Sequence, residues 1–231
     1  MTEHTPVSSE ALCESLRGFD TPTVANAIEA FGVRDRTAGY ASQQIACAYP
    51  HLGSMVGYAV TCISDCTTGG PQRPSRYGDL LDALIAAPKP TVVVCQYVGS
   101  DRARGCFIGD MSAALFRRVG AVGVLTDAPN RDLAMIQKRV PGFHLFGYGA
   151  VASHGNGAIL DVGLSVTIGG MLVRPGDLIH GDADGVITIP LAIADRVAEQ
   201  AATVHRAEQE TYDMVMDPNV PIDVIKARFS H

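Results

Sequence analysis

The stretch GDMSAALFRRVGAVGVLTDAPNRD, residues 109–132, gives the strongest indication of fold class in this chain. Its apolar spacing and its glycines predict a helix, a short buried strand and a second helix, which fall at 110–119, 122–126 and 131–139. Two carboxylates, Asp110 and Asp132, therefore lie at the starts of the helices of two consecutive strand–helix units. An alternation of this kind is typical of an α/β fold.

The sequence on both sides continues this alternation. Capping residues, glycine stops and apolar runs before it predict helices over 9–16, 22–31 and 77–87, and strands over 56–63 and 91–98. After it, residues 143–148 are predicted to be extended. Short apolar runs separated by tight turns follow from residue 165, which is typical of antiparallel ribbons. A long helix from 191 to about 216 and a Pro-bounded tail end the sequence.

No linker, repeat or low-complexity segment divides the sequence, which predicts one domain over residues 1–231. A length of 231 residues provides one substantial core and is short for two ordinary domains. We expect residues 1–8 to be a frayed tail, and residues 191–231 to form a C-terminal helix and tail at a subunit interface. The second expectation follows because 47% of the residues are hydrophobic and only 18% are charged, which favours apolar surface covered by a partner copy.

Charge and patterning exclude several classes of function. A net charge of −6 argues against a nucleic-acid partner, since nucleic-acid binders carry a clustered basic face. No apolar run approaches the roughly 18–20 residues that a membrane helix needs. The first residues lack the basic and apolar regions of a secretion signal, and the six cysteines form no CxxC pair. These features predict a cytoplasmic protein with free thiols.

The residues around 109–132 also suggest chemistry. Hard divalent cations prefer oxygen ligands, which Asp110 and Asp132 could supply, and the guanidinium of Arg131 suits the carboxylate of a 2-oxo acid. Plainer interpretations exist: Asp110 could be an ordinary helix N-cap, and Arg131 with Asp132 a surface salt bridge. The histidines at 144, 154 and 180 are unclustered, and we expect them to be satisfied structural residues.

Several motifs, taken in their order and spacing, resemble the RraA-like family, which includes the class II 4-hydroxy-4-methyl-2-oxoglutarate and 4-carboxy-4-hydroxy-2-oxoadipate aldolases. The matching motifs are DTPTV at 20–24, GYAVT at 57–61, GD at 109–110, RD at 131–132 and PGDLIHGDADGV at 175–186. The resemblance extends from about Leu16 to Glu210. It implies an α/β/β/α-type sandwich of the swivelling phosphohistidine-like kind, assembled as a trimer or hexamer.

The resemblance also implies residue roles. Asp132 would bind Mg²⁺ or Mn²⁺ directly, Asp110 would hold metal-bound waters, and Arg131 would bind the substrate. The oxo-acid carboxylate would be received by the backbone amides of the turn formed by Gly109, Asp110, Met111 and Ser112, because a helix N-terminus offers free N–H groups. In the resembling aldolases, a glutamate from a neighbouring subunit's C-terminal segment completes the metal's outer shell. Here Glu210 is the first candidate and Glu208 the second, although a solvated helix face explains both equally well.

Two departures from the family pattern affect the substrate. The family usually has Asp-Gly and two apolar residues before Arg-Asp, whereas this chain has Asp127-Ala128-Pro129-Asn130. Asn130 would place an amide near the substrate. Met111-Ser112 replaces a run of aliphatic residues, and Ser112 would add a hydroxyl to the pocket.

The resulting hypothesis is a metal-dependent lyase that cleaves a 4-hydroxy-2-oxo acid to pyruvate and also decarboxylates oxaloacetate. A Schiff-base aldolase is disfavoured because Lys89, Lys138 and Lys226 lie outside the matched motifs. One alternative is a non-catalytic regulator that binds a ribonuclease or another protein, and Asp132 argues against it because such regulators tend to lose this carboxylate. Another is a lyase or hydrolase that acts on a different small acid through the same metal site.

Overall fold

The computed structural model describes residues 8–71 and 73–229. Its helices are α1 (Ser9–Arg17), α2 (Thr21–Glu29), α3 (Tyr77–Ala86), α4 (Asp110–Arg118), α5 (Leu133–Arg139), α6 (Ala194–Met216) and α7 (Ile222–Arg228). Its strands are β1 (Ala46–Cys47), β2 (Met55–Asp65), β3 (Thr91–Tyr97), β4 (Ala121–Thr126), β5 (His144–Gly147), β6 (Ala158–Val162), β7 (Val166–Ile168), β8 (Met171–Val173), β9 (Leu178–Asp182) and β10 (Gly185–Ile189).

Eight of the strands form one mixed sheet. Its order is β1-β5-β4-β3-β2-β9-β10, and β6 also pairs with the long strand β2. Strands β2, β3, β4 and β5 are parallel, whereas β1, β6, β9 and β10 pair antiparallel with their neighbours. Strands β7 and β8 form a separate two-stranded ribbon. Because the four central strands are parallel, their carboxyl ends meet at one edge of the sheet.

Each face of the central sheet is covered by a different layer. Val93 and Val124 point to one face and pack against helices α3, α4 and α5 through residues such as Leu84, Phe116 and Ile136. Alternate residues of the same strands point to the other face, since side chains of a strand alternate. That face packs against the β7–β8 ribbon and against strands β9 and β10, which continue the same sheet beyond β2 and contact the face of its parallel strands. The buried residues of this layer include Val92, Val94, Leu125, Phe146, Val166 and Ile168.

A third apolar cluster joins helices α1, α2 and α6 to strands β9 and β10, through residues such as Leu16, Val24, Leu178 and Val197. The layers therefore follow one another as helices, central sheet, ribbon strands and helices. This order confirms the predicted α/β/β/α-type sandwich. Among the described residues, no helix is both long and apolar enough to span a bilayer.

The predicted local signals agree well with these elements. Ser8 caps α1 by accepting a hydrogen bond from the amide of Ala11, and Asp20 caps α2 by accepting one from the amide of Thr23 at 2.7 Å. Two elements differ from the sequence prediction: β6 was not predicted, and residues 222–228 form a helix where a tail was expected. The predicted frayed tail at residues 1–8 lies outside the described residues except for Ser8.

Candidate active site

A cavity of about 350 Å³ opens at the edge where the parallel strands end. Ligands in α/β sheets bind at the carboxyl ends of the strands, so this cavity is where a small-molecule site is expected. Its walls come from the end of β2, the starts of α3, α4 and β6, and the loops that precede them. The lining residues are Ser64, Asp65, Cys66, Ser75, Tyr77, Cys106, Phe107, Ile108, Gly109, Asp110, Met111, Ser112, Arg131, His154, Gly157, Ala158 and Ile159.

The first turn of α4 forms one wall of this cavity. Gly109 is the N-cap residue and has no side chain with which to cap the helix. Amide groups in a first helical turn lack acceptors within their helix and attract anions. A side chain at position 109 would clash, because its Cβ would lie 2.7 Å from Oδ2 of Asp132 and 3.0 Å from Nε of Arg131. A larger residue at this position would therefore displace the Asp132 carboxylate and the Arg131 guanidinium from the start of α4.

Asp132 is the one non-glycine residue of the described chain with a left-handed backbone, at φ 57°. Such a conformation is uncommon for non-glycine residues and is frequent at functional sites. It directs the carboxylate to the start of α4, where Oδ2 lies 3.4 Å from the amide nitrogen of Asp110. The same oxygen lies 3.2 Å from Nε of Arg131, and the Asp132 side chain is 34% exposed. The carboxylate is thus accessible at the junction of the two loops.

Asp110 is the first residue of α4, not its cap, and its carboxylate forms an ion pair with Arg139 from the last turn of α5. The Asp110 side chain is 15% exposed, whereas that of Arg139 is 55% exposed. Arg139 therefore fixes the Asp110 carboxylate from the solvent side. Arg139 could not be predicted as part of the site, because nothing in the spacing between 110 and 139 indicates that these two side chains meet.

Backbone hydrogen bonds hold the loop that presents Arg131. The Arg131 amide donates to the carbonyl of Ile108 at 3.1 Å, and the Asn130 amide donates to the carbonyl of Gly149 at 2.8 Å. Asn130 is only 1% exposed and does not line the cavity, and its Oδ1 has no hydrogen-bond partner in the structure. The side-chain amide of Asn130, which the sequence predicts to lie near the substrate, is instead buried behind the loop.

The remaining predicted residues divide into two groups. Met111 and Ser112 line the cavity, as the resemblance implied for the turn that they continue. Glu208 and Glu210 do not line it; both are exposed on α6, which packs against α2. Glu208 accepts a hydrogen bond from Asn26 at 3.1 Å. Within one chain, therefore, neither glutamate is part of the described site.

Two buried carboxylates lie at the carboxyl ends of strands, and of the two only Asp65 lines the cavity. Asp127, just after β4, accepts a hydrogen bond from the Tyr97 amide at 2.6 Å and pairs with Arg102 at 3.1 Å. Burial raises the pKa of Asp127, and these two partners only partly oppose that effect. Asp65, at the end of β2, is also buried, but hydrogen bonds from the next turn and from Arg73 lower its pKa to about 2. Both carboxylates are committed to protein contacts.

The carboxylate oxygens of Asp110 and Asp132 suit a hard divalent cation in an open site, where water supplies the remaining ligands. Within residues 8–71 and 73–229, no three His, Cys, Asp or Glu side chains form a complete metal cage. Mg²⁺ does not require one, since it is commonly held by one or two carboxylates and keeps several waters. Asp132 offers an accessible carboxylate, and Asp110 offers a second from the adjoining loop. These two residues would hold the ion.

Comparison with known proteins identifies the family. A family model described as RraA-like, Aldolase/RraA, matches residues 21–188. A protein of Halalkalibacterium halodurans, provisionally named 4-hydroxy-4-methyl-2-oxoglutarate aldolase, is 29% identical over 184 residues, covering 69% of this chain and 85% of that protein.

Solved structures show the same fold. RraAS2 of Streptomyces coelicolor, described as an unusual member of the RNase ES inhibitor RraA family, has a TM-score of 0.66 at 23% identity, over 90% of this chain and 98% of its own. A structure described among novel cellulases from gut-associated microbes has a TM-score of 0.74 at 19% identity, over 91% of this chain and 90% of its own. At these identities the likeness concerns the fold alone. Because the family model covers well over half of the sequence, the chain belongs to the RraA-like family.

Proposed function

We propose that this protein is a divalent-metal-dependent lyase that cleaves a 4-hydroxy-2-oxo acid into pyruvate and a second carbonyl compound. The proposal includes decarboxylation of oxaloacetate at the same site. The observation that carries it is the meeting of Arg131 and the first turn of α4 in one cavity, with the accessible Asp132 carboxylate of the adjoining loop in contact with both. The aldolase name of the relative from H. halodurans supports the same reaction class.

The residues of the cavity suit the oxo-acid end of such a substrate. The first-turn amides of α4 would bind the substrate carboxylate, and Arg131 would bind the same cluster of oxygens with its planar guanidinium. Mg²⁺ or Mn²⁺, held by Asp132 and supported by Asp110, would supply Lewis-acid stabilisation of the negative charge that develops during cleavage. Ser112 lies beside this group at the cavity wall.

A panel of 2-oxo acids tests this proposal directly. Purified protein would be incubated with 4-hydroxy-4-methyl-2-oxoglutarate, other 4-hydroxy-2-oxo acids and oxaloacetate, and pyruvate release would be followed. We expect release that stops after exhaustive chelation and returns on addition of Mg²⁺ or Mn²⁺. Full activity without metal would contradict metal dependence. Absence of pyruvate from every substrate would favour the non-catalytic regulator or a hydrolase acting on another small acid.

We also propose that the active site is shared between subunits of a homotrimer or homohexamer. Glu210 and Glu208 lie on the exposed part of α6, away from the cavity of their own chain, so only a neighbouring copy could bring them to a cavity. A carboxylate there could relay a proton through water. Mixing inactive Glu210→Gln with inactive Asp132→Asn subunits should restore part of the activity, because hybrid sites would contain both native residues. Fully active Glu210→Gln and Glu208→Gln proteins would contradict the shared site.

A further inference from the structure

The proposed cleavage needs a base for the C4 hydroxyl, and none of the residues named so far supplies one within the chain. His154 lines the same cavity as Arg131 and the first turn of α4. It lies in the loop between β5 and β6, and the sequence alone predicts a structural role for it. We propose that His154 is the general base of the cleavage step, an inference that rests on the proposed function.

Hydrogen bonds on both sides of His154 fix its loop against other walls of the cavity. Oγ of Ser153 donates to the carbonyl of Arg104 at 2.7 Å, in the segment that leads to α4. The amide of Asn156 donates to the carbonyl of Cys66 at 2.8 Å, at the end of β2. Gly155 has a left-handed backbone and passes so close to Cys66 that any Cβ would clash with its carbonyl. The position of His154 is therefore set by the surrounding structure.

The hydrogen bond of the His154 ring determines which nitrogen can act as a base. Nδ1 lies 3.2 Å from the carbonyl oxygen of Gly155. A carbonyl oxygen can only accept, so Nδ1 carries the hydrogen of the neutral ring. Nε2 is then the unprotonated nitrogen, and no hydrogen bond to it occurs among the described residues. A histidine held in one tautomer with a free second nitrogen is arranged to accept a proton.

The carboxylates of the cavity are poorly placed for this task. Asp65 accepts hydrogen bonds from the amides of Thr67 and Thr68 and pairs with Arg73, which together hold its pKa at about 2. Such a carboxylate is a weak base at neutral pH. Asp110 is engaged by the guanidinium of Arg139.

The Cys106 thiol and the Tyr77 phenol of the cavity stay protonated at neutral pH. Burial raises the pKa of Cys106 to about 11 and raises the pKa of Tyr77 above its ordinary value of 10.0. The Cys66 sulfur accepts a hydrogen bond from the Cys106 amide at 2.9 Å and is buried. The titratable and charged residues that line the cavity besides His154 are thus Asp65, Cys66, Tyr77, Cys106, Asp110 and Arg131. His154 is the member of this set that offers a free basic nitrogen.

The proposed step balances within the substrate and one imidazole. Nε2 of His154 takes the proton of the C4 hydroxyl, and the O–H electrons form the C4=O bond of the departing carbonyl compound. The C3–C4 bond breaks, its electrons form the C2=C3 bond, and the π electrons of the C2 carbonyl move to its oxygen, which gives the pyruvate enolate. The imidazolium then returns the proton to C3, which gives pyruvate and restores neutral His154.

Oxaloacetate provides the discriminating comparison, because its decarboxylation removes no hydroxyl proton. We would measure kcat for decarboxylation and for cleavage of the 4-hydroxy-2-oxo acid that the wild type cleaves fastest. His154→Gln should lower the cleavage kcat by about 100-fold or more and leave decarboxylation at the wild-type level. The matched control is His51→Gln, an exposed histidine outside the cavity, which should alter neither reaction. Added imidazole should partly restore cleavage by His154→Ala.

Each other outcome overturns the inference in a recognisable way. If both reactions of His154→Gln match the wild type, the base lies elsewhere. Equal loss of both reactions in a folded variant would assign His154 to binding, not to proton transfer. A wild-type protein that only decarboxylates oxaloacetate has no step for the base, whereas one with neither activity contradicts the proposed function itself. Nitrogen-15 NMR should show His154 protonated at Nδ1 in the neutral form; protonation at Nε2 would contradict the assigned tautomer.

Discussion

The junction of the Asp110 and Asp132 loops and the β9–β10 turn both present acidic residues, but their carboxylates have different surroundings. Asp182, the last residue of β9 before this turn, is 6% exposed and accepts hydrogen bonds from the amides of Thr21 at 2.7 Å and Asp184 at 2.9 Å. Asp132 is one-third exposed and has a left-handed backbone. The first carboxylate holds the fold together, whereas the second is left accessible for a ligand.

The histidines of the two regions differ in the same way. His180, beside the β9–β10 turn, is fully buried, and both ring nitrogens are engaged, by the Thr21 hydroxyl at 3.0 Å and the Leu16 carbonyl at 3.3 Å. His154 is exposed to the cavity and is engaged at Nδ1 only, within the described part of the chain. A side chain whose polar atoms all have hydrogen-bond partners is thus best assigned a structural role, and one with a free polar atom is a candidate for function. How conspicuous its sequence motif is gives a poorer guide.

The largest expected effect comes from removing the charge of Asp132. Asparagine tolerates the left-handed backbone that position 132 requires, so Asp132→Asn should fold normally. It should lower kcat by on the order of 10³, since it removes the proposed direct metal ligand. Steady-state pyruvate assays and thermal unfolding would be compared with wild type. Near wild-type turnover would show that the catalytic site lies elsewhere.

Asp182→Asn is the matched control for that substitution. It weakens two buried hydrogen bonds to a carboxylate, which should lower the free energy of unfolding by about 1–3 kcal/mol. Its kcat should equal that of the wild type at a temperature where both are folded. A large loss of kcat without loss of stability would remove the distinction drawn between the two regions.

His144 tests whether an incomplete hydrogen-bond set can be purely structural. It is 7% exposed, its Nδ1 has no partner, and burial lowers its pKa to about 4, with Arg17 and Arg117 adding to the effect. The folded state keeps His144 neutral down to about pH 4, whereas the unfolded state protonates it near 6.5. The unfolded state therefore binds more protons in this window, and stability should fall as pH decreases from 6.5 to 4.

His144→Phe should remove up to about 3 kcal/mol of this pH dependence. Urea unfolding at several pH values would measure it, and activity at pH 7 should be unchanged. An unaltered slope between pH 4 and 6.5 would show that His144 does not control acid stability.

Arg131→Lys should have the smallest effect of the series. A planar guanidinium can bind two oxygens of the oxo acid together, whereas an ammonium is a point charge on a flexible stem. We expect kcat/KM to fall about tenfold, or about 1.4 kcal/mol, through both a raised KM and a lowered kcat. Unchanged kinetics would show that Arg131 contacts Asp132 but does not bind the substrate.

The proximity of positions 109–112 and 131–132 could be predicted from sequence because both follow neighbouring parallel strands. Other parts of the site could not. The left-handed backbone of Asp132 depends on tertiary contact with Gly109, and nothing local to residues 154 or 139 shows what they face. Strand β6 follows the glycine-rich turn at 155–157 and exists through pairing with β2. Pro218 and Pro221 predict a tail at the residues where helix α7 forms.

Helix α5 has a consequence for how the family can vary in length. Asp132 at its start and Arg139 at its end both reach Asp110, one at the backbone and the other at the carboxylate. Its seven residues span about 10 Å. One inserted or deleted residue would rotate one end by about 100° relative to the other and break one of the two contacts. The helix therefore acts as a spacer of fixed length, and insertions near this site are better tolerated in the loops around it.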